Sequence, residues 1–463
     1  MEMSNWLEKE LSDCKFKDKR LEKRFKQLMT SIHTNQGKTL PQACGSWSEA
    51  KATYRFLSNE RVEESEILSG HFSNTKERIQ AVKGPVLVLH DTTEFTYHRE
   101  NPDKIGLIQK TPHIGQHAGP KKEYKVCGIL MHASLAVTSE GLPLGLTSTR
   151  YWSRKVFKNT NQMKRKINQT RLPIEEKESI KWLQNMEASV ELAGSTPSKM
   201  IHIGDRENDI YEYYCRCREL DTFFISRVCV NRLANESTLV EEVGTQKTYA
   251  KQAIEFVGKN GHLVSTTLDL RIKNVELHPP IGKEAHYPDI KVTFVSAIET
   301  DLPEDREPIR WSFITNLPVK SKKDVKQVLD WYKQRWKIET YFKVLKSGLK
   351  VEESKLRTAD RLSRLISMCC ILAWRIHWLT FLNRETEKIA PEVAFDEIEL
   401  KIIKSYFPEY SLKTLQDFVT QLAVLGGYLN RKNDPPPGNI IIWRGLNQLH
   451  ELKRGFLLAS TCG

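Results

Sequence analysis

Two short, largely apolar runs that lie far apart in the chain, Val86–Leu89 and Met200–Ile203, each lead within two residues to an aspartate, Asp91 and Asp205. Aliphatic runs of this length bounded by polar residues read as buried strands. A buried strand that ends at a carboxylate delivers the acid to the exposed end of a sheet, so the fold has to lay two distant segments side by side. A third segment, Tyr332-Lys333-Gln334-Arg335-Trp336-Lys337-Ile338-Glu339 and on to Lys346, has helical spacing. At about 100° per residue, Arg335, Glu339 and Lys346 fall roughly 300°, 340° and 320° around from Tyr332, one narrow polar and charged stripe. A core-facing stripe would be apolar. These constraints point to a mixed α/β fold in which two strand-end aspartates meet a helix glutamate flanked by cations. That is the donor set and counter-charge that hard divalent cations and a phosphodiester require.

Charge agrees with a polyanionic partner. Lysine and arginine number 71 against 58 aspartates and glutamates, a net charge of +13. The excess is patterned: residues 15–38 hold eight cations against Asp18 and Glu22, and residues 150–171 hold eight cations and no acid. A solvated face is the usual fate of such runs; here the alternative is contact with phosphates. Nine cysteines show no Cys-x2-Cys spacing, which reads as free thiols in a reducing cytoplasm. Met1–Glu10 is too polar for a signal peptide. Met368–Trp374 is too short to span a bilayer and runs into Arg375 and His377, so it reads as a buried helix and no membrane partner is expected. Gly37-Lys38-Thr39 is not a nucleotide loop, because the glycine required five positions earlier is Ile32.

At 463 residues the chain exceeds one typical core. Residues 1–80 read as a helical unit, with Leu21, Phe25, Leu28 and Ile32 at helical spacing and Arg20, Lys23, Arg24 and Lys26 on other faces. Residues 81–230 change to strands, Val86–Leu89, Val126–Val137 and Leu142–Tyr151, followed by helices near Ile174–Leu192 and Asn208–Leu220 alternating with strands Met200–Ile203 and Thr222–Val228. Residues 231–309 read as a β-rich insertion containing Leu263–Ile272 and Ile290–Ile298. Residues 310–384 return to the core with the glutamate helix, opened by a capping box at Ser321 and Asp324. Residues 385–463 are helical, broken at Pro435-Pro436-Pro437-Gly438, and end in a helix with Ile442, Leu446, Leu449 and Phe456 on one face. Three strands followed by strand-helix alternation fits a ribonuclease-H-like core among other mixed folds.

The third segment, Tyr-x2-Arg-x3-Glu-x6-Lys, resembles the signature of the bacterial cut-and-paste DDE transposases of the insertion-sequence group that also holds the transposase of transposon five. The resemblance extends to Asp91-Thr92-Thr93, to Asp205-Arg206-Glu207 with Asp209-Ile210, and to Tyr54-Arg55-Phe56, in order and along nearly the whole chain. It implies a ribonuclease-H-like catalytic core with a β-rich insertion, flanked by helical N-terminal and C-terminal domains. It also implies Asp91, Asp205 and Glu339 as catalytic ligands of two Mg2+ ions, with Mn2+ able to substitute, and double-stranded DNA, both transposon ends and target, as partner.

On the same resemblance, cleavage passes through a DNA hairpin with one base flipped out. Trp311, 28 residues before Glu339, would stack on that base, Tyr332 and Arg335 would hold the nearby phosphate, and Lys343 and Lys346 the adjoining backbone. The competing reading of Trp311 is a core aromatic in the strand Ile309–Leu317. Arg227 would touch DNA, and Arg20 and Arg24 would read the transposon end, although Thr34 and Asn35 replace a Lys-Tyr pair there. A homodimer on two DNA ends is implied, with self-association near the C-terminus that would include Leu425-Gly426-Gly427-Tyr428; packing within the chain is the alternative. Asp103, Glu123 and Asp209 are decoys for the metal site, and His90 reads as a packed strand histidine. An end-binding regulator that does not cut, and a nuclease of the same fold that does not join, are the competing classes.

Overall fold

The structure, a computed structural model, describes residues 5–112, 123–154, 172–257, 263–301, 303, 306–384 and 389–461. Most of the basic run at residues 150–171 falls outside them. The first apolar run opens β1 (Val86–Tyr97), a strand buried continuously from Val86 to His90. It is followed by β2 (Leu107–Pro112), β3 (Glu123–Thr138), β4 (Pro143–Trp152), β5 (Met200–Gly204) and β6 (Phe223–Arg227). β3 runs antiparallel to β1 and to β4, whereas β5 is parallel to β1 and β6 parallel to β5. The order β4-β3-β1-β5-β6, three antiparallel strands and then two parallel ones, matches the expected ribonuclease-H-like pattern.

Side-chain alternation gives this sheet two unlike faces. On one face Leu87, Leu89, Ile201, Ile203 and Ile225 join the main core with the Ala359–Leu382 helix. On the other, Val88 and Met200 meet Ala193 of the Ile180–Ala193 helix. Residues 231–309 form β7 (Leu233–Ala234), β8 (Ser237–Thr238), β9 (Ala250–Val257), β10 (Leu263–Leu277) and β11 (Ile290–Glu299). They do not make a detached sheet. β12 (Arg310–Thr315) pairs with β11 on one side and β6 on the other, so the described strands form one sheet of twelve.

The N-terminal part is helical, with helices at Asn5–Glu10, Lys19–Thr34, Leu40–Cys44, Trp47–Leu57 and Glu64–Ala81. Asp18 caps the second by accepting from the Arg20 amide (2.8 Å), and Phe25, Leu28, Met29, Ile32 and His33 are its buried side. Met368–Trp374 lies, as expected, in a buried helix, but that helix is longer than the apolar run: Ala359–Leu382, 24 residues, long and apolar enough to cross a membrane by length and composition alone. Its most apolar window is 89% buried inside the fold, and two of its three arginines bond internally, Arg364 to the Leu57 carbonyl (2.7 Å) and Arg375 to that of Ala394 (3.0 Å). It is a core helix.

The last helix, Asn439–Thr461, buries Ile442, Leu446 and Leu449 against the rest of the chain. It crosses the end of the Leu415–Leu425 helix at two glycines: a Cβ on Gly426 would sit 2.1 Å from the Ile441 carbonyl oxygen, and one on Gly445 2.0 Å from that of Leu422. Gly426 therefore serves packing within the chain. All eight described cysteines are free thiols.

Candidate active site

Asp91 is not at a strand end, as the sequence suggested, but mid-way along β1. β1 continues to Tyr97 because β3 pairs with it along its full length, while the parallel ladder to β5 stops at Leu89 and Ile203. Asp91 thus stands on a continuous strand just beyond the last pairing of β1 with β5. Asp205 follows β5 directly and caps the turn Arg206–Asn208, accepting from the Glu207 amide (2.9 Å). Both aspartates have the parity of the main-core face, the side on which the Trp336–Lys343 helix lies against β1.

The glutamate helix also departs from the single stripe. The capping box at Ser321 and Asp324 forms as expected and starts a helix at Lys322–Lys333. Residues 334–338 are then tightened by bonds to the third residue back, the helix resumes at Trp336–Lys343, and it loosens to a π-turn at Val344–Gly348. As a result Tyr332 turns into the core, its ring 4.5 Å from that of Phe313, while Arg335 and Glu339 converge on Asp91. Arg335 donates to Glu339 (2.6 Å) and to Asp91 (3.3 Å) through its two terminal nitrogens. Lys337 ties the helix to the β3–β4 turn by donating to the Gly141 carbonyl (2.6 Å).

Burial raises the Asp91 carboxyl to about 7, with the charges of Asp205 and Glu339 adding to the effect and Arg335 opposing it. Burial also raises Asp205. Three carboxylates with one guanidinium among them carry more negative charge than the site neutralises by itself, and their oxygen donors suit a hard divalent cation. Among the described residues no three His, Cys, Asp or Glu side chains are gathered closely enough to form a ready-made metal cage. Arg335 provides the cationic bridge instead.

Behind Asp91 the opposite face of the sheet holds His90, His132 and His202, all fully buried. Burial holds the three rings neutral. His90 is thus a packed strand histidine, as read from the sequence. Asp103 lies in the exposed turn Pro102–Lys104, and the side chain of Glu123 lies outside the described residues. Asp209 is buried and structural: it accepts from the Cys229 and Val230 amides, the Tyr214 hydroxyl and Arg232, fixing the loop after β6.

Residues 3–62 match the family described as transposase DNA-binding, and residues 191–375 match the family described as transposase DDE domain. Together the two cover more than half of the chain. The chain carries a transposase DNA-binding domain and a DDE transposase domain. It is therefore a DNA-cleaving and strand-transferring enzyme, and the DDE domain is of the ribonuclease-H-like kind. The first match contains Arg20 and Arg24; the second contains Asp205, Arg227, Trp311, Glu339 and the residues around it, and starts downstream of Asp91.

Within the transposase, Arg20 is almost fully exposed, 3.5 Å from Asp18. Arg24 lines a groove of about 990 Å³ with Lys19, Lys23, Lys26 and Arg454 of the last helix. Arg227 ends β6, opposite Phe313. Trp311 is half-buried in β12, 6.3 Å from the Tyr332 ring. The Tyr332 hydroxyl is buried without a hydrogen-bond partner. Lys343 is exposed, and the Lys346 ammonium lies over the Phe95 ring (5.7 Å). Arg154, the last described residue of the basic run, is engaged by Glu178 (2.6 Å). Sequence reasoning passed over Trp336, which is 62% exposed beside Arg335. Its place, roughly 40° from Tyr332 in the same helical projection, was available in the spacing. It also passed over Lys181, whose ammonium reaches Glu207 next to Asp205 (3.2 Å).

Proposed function

We propose that the transposase carries out cut-and-paste transposition in which Asp91, Asp205 and Glu339 hold two divalent cations, Mg2+ in the first instance, against the DNA end. The observation that carries this reading is the convergence of Asp91 and Glu339 on one guanidinium beside Asp205, from three segments distant in sequence. When bound, the cations would stabilise the attacking and leaving oxygens of an in-line displacement. Arg335 exchanges its carboxylate partners for a DNA phosphate, a ligand its planar fork fits equally well. Tyr332, with its ring against Phe313 and its hydroxyl buried, packs into the core and does not reach the phosphate, whereas Lys343 and Lys346 follow the backbone beyond it.

Cleavage through a hairpin needs sharp bending and an extruded base, at a cost of a few kcal/mol. The half-buried ring of Trp311 beside Tyr332 supports a stacking role for it, with Trp336 as a second exposed aromatic face. Stacking contributes about 1–3 kcal/mol per base, so Trp311→Ala is expected to nick the end normally and accumulate nicked DNA, with hairpin formation slowed roughly ten- to a hundredfold. An abasic site at the flipped position partly restores the rate. Hairpins formed at the wild-type rate in a gel time course, with the variant folded, would assign Trp311 to the core alone.

The N-terminal helices would read the end. Charge-driven binding loses about 0.9 in the slope of log K against log salt per phosphate released. Replacing Arg20 and Arg24 together by alanine is expected to erase the preference for a cognate over a scrambled end and to flatten that slope by up to about two. Fluorescence anisotropy across a salt series measures both, and an unchanged preference removes the two arginines from end recognition. The active assembly on this reading is a homodimer holding two ends and a target duplex.

A further inference from the structure

The sheet face opposite the carboxylates carries a connected row of buried polar side chains. His202 of β5 is hydrogen-bonded to His90 of β1 (Nδ1 to Nε2, 2.9 Å), and His90 to Ser134 of β3 (Nδ1 to Oγ, 2.8 Å). Asn185 of the Ile180–Ala193 helix donates to Ser134 Oγ (3.1 Å) and accepts from Ser148 of β4 (3.1 Å). One residue beyond Asp91, Thr92 Oγ1 is bonded to Nδ1 of His132 (2.9 Å). His90, His132, His202, Ser134 and Asn185 are all 0% exposed. Polar groups in a core are costly unless bonded, and the gain over an apolar core of the same shape is directional order rather than net stability.

The location of the row suggests what that order is for. The backbone ladder between β1 and β5 ends at Leu89 and Ile203, so the main chain stops fixing the two strands just before Asp91 and Asp205. The His90–His202 bond ties the strands together at that point, and the Thr92–His132 bond ties β1 to β3 on the other side of Asp91. Asp91 is thus held between two neighbours in sequence whose side chains are both anchored on the opposite face. We propose that His202 and His90, continued by Ser134 and Asn185, are positioning residues that set the separation of Asp91 and Asp205 and so the geometry in which the two carboxylates receive divalent cations. The proposal rests on the carboxylate reading given under Proposed function. Mg2+ tolerates little departure from octahedral geometry, and functional groups need to be held within about 0.5 Å.

The test titrates full-length protein with Mn2+ alone, without DNA, followed by electron paramagnetic resonance. It also measures kcat with Mg2+ per folded molecule and end affinity in EDTA. His202→Phe keeps a ring of similar volume without the bond and is expected to weaken Mn2+ binding at least tenfold and lower kcat about as much, with end affinity unchanged. His202→Asn, which restores a hydrogen-bonding group near Nδ1, is expected to recover much of both. A structural role alone would lower the melting temperature and leave the Mn2+ affinity and kcat per folded molecule at wild-type values, and that result overturns the proposal, as does equal loss in the Phe and Asn variants. If His202→Phe does not fold, Ser134→Ala at the other side of His90 is read in the same assays, with a three- to tenfold loss expected and wild-type values decisive against it. Asp91→Asn separates the two readings. Wild-type Mn2+ binding and cleavage in that variant defeats the carboxylate assignment itself, whereas an inactive Asp91→Asn beside a normal His202→Phe defeats only the positioning role.

Discussion

Asp91→Asn, Asp205→Asn and Glu339→Gln are each expected to lower cleavage of an end-bearing duplex in Mg2+ by at least a thousandfold while binding that duplex in EDTA as the unaltered protein does. Each change preserves side-chain volume and removes one formal charge, so packing and attraction for phosphates are nearly untouched. What is lost is a hard oxygen ligand, and transition-state stabilisation of about 4 kcal/mol corresponds to roughly a thousandfold. Glu339→Gln also turns the charge-assisted bond from Arg335, at 2.6 Å, into one to a neutral amide oxygen. The less tightly held guanidinium remains able to meet a phosphate, so end binding does not fall with cleavage. Gel-shift and cleavage assays on the same preparations measure the two quantities. A variant that cleaves at near-normal rate in Mg2+ takes its residue out of the set.

Much of this arrangement was legible in the sequence because it depends on local pattern. The strand Met200–Gly204, its aspartate and the capping box at Ser321 follow from apolar runs and cap chemistry that a few residues define. The departures come from partners the local pattern cannot show. β1 outlasts its apolar run since β3 pairs with it through Tyr97, which places Asp91 mid-strand. Tyr332 leaves the polar stripe because Phe313 of β12 offers its ring a packing surface. The buried histidines are single residues at positions 90, 132 and 202, and only the pairing of β1 with β3 and β5 brings them together. Trp336 was readable from the helical projection, yet its exposure depends on what the fold leaves uncovered.

In metal-free protein the contribution of Asp91 to stability, read as the difference in melting between the unaltered protein and Asp91→Asn, is expected to turn increasingly unfavourable as the pH rises from about 4 to about 8. The Asp91 carboxyl titrates near 7 in the fold, because burial disfavours its charge and Asp205 and Glu339 add to the effect, against an ordinary value of 3.8. A group whose folded value is raised contributes stability fully below its unfolded value and loses that contribution as the pH climbs through the folded one. Between those limits the unfolded chain ionises Asp91 freely while the folded protein resists, a difference on the order of 4 kcal/mol by pH 8. Asparagine has no proton to lose, so the variant should melt above the unaltered protein in EDTA at pH 8 and approach it near pH 4. Divalent cations act in the opposite sense: they favour the ionised carboxylate, so Mg2+ at pH 8 should raise the melting temperature of the unaltered protein and do much less for Asp91→Asn. By the same linkage, cleavage at limiting Mg2+ should fall as the pH drops below about 7, where the metal competes with the Asp91 proton. Thermal melts in EDTA and in Mg2+ across this pH range decide the matter. Parallel pH profiles for the two proteins in EDTA would show that Asp91 is not the group that titrates, and that its charge is already compensated by Arg335 in the folded protein.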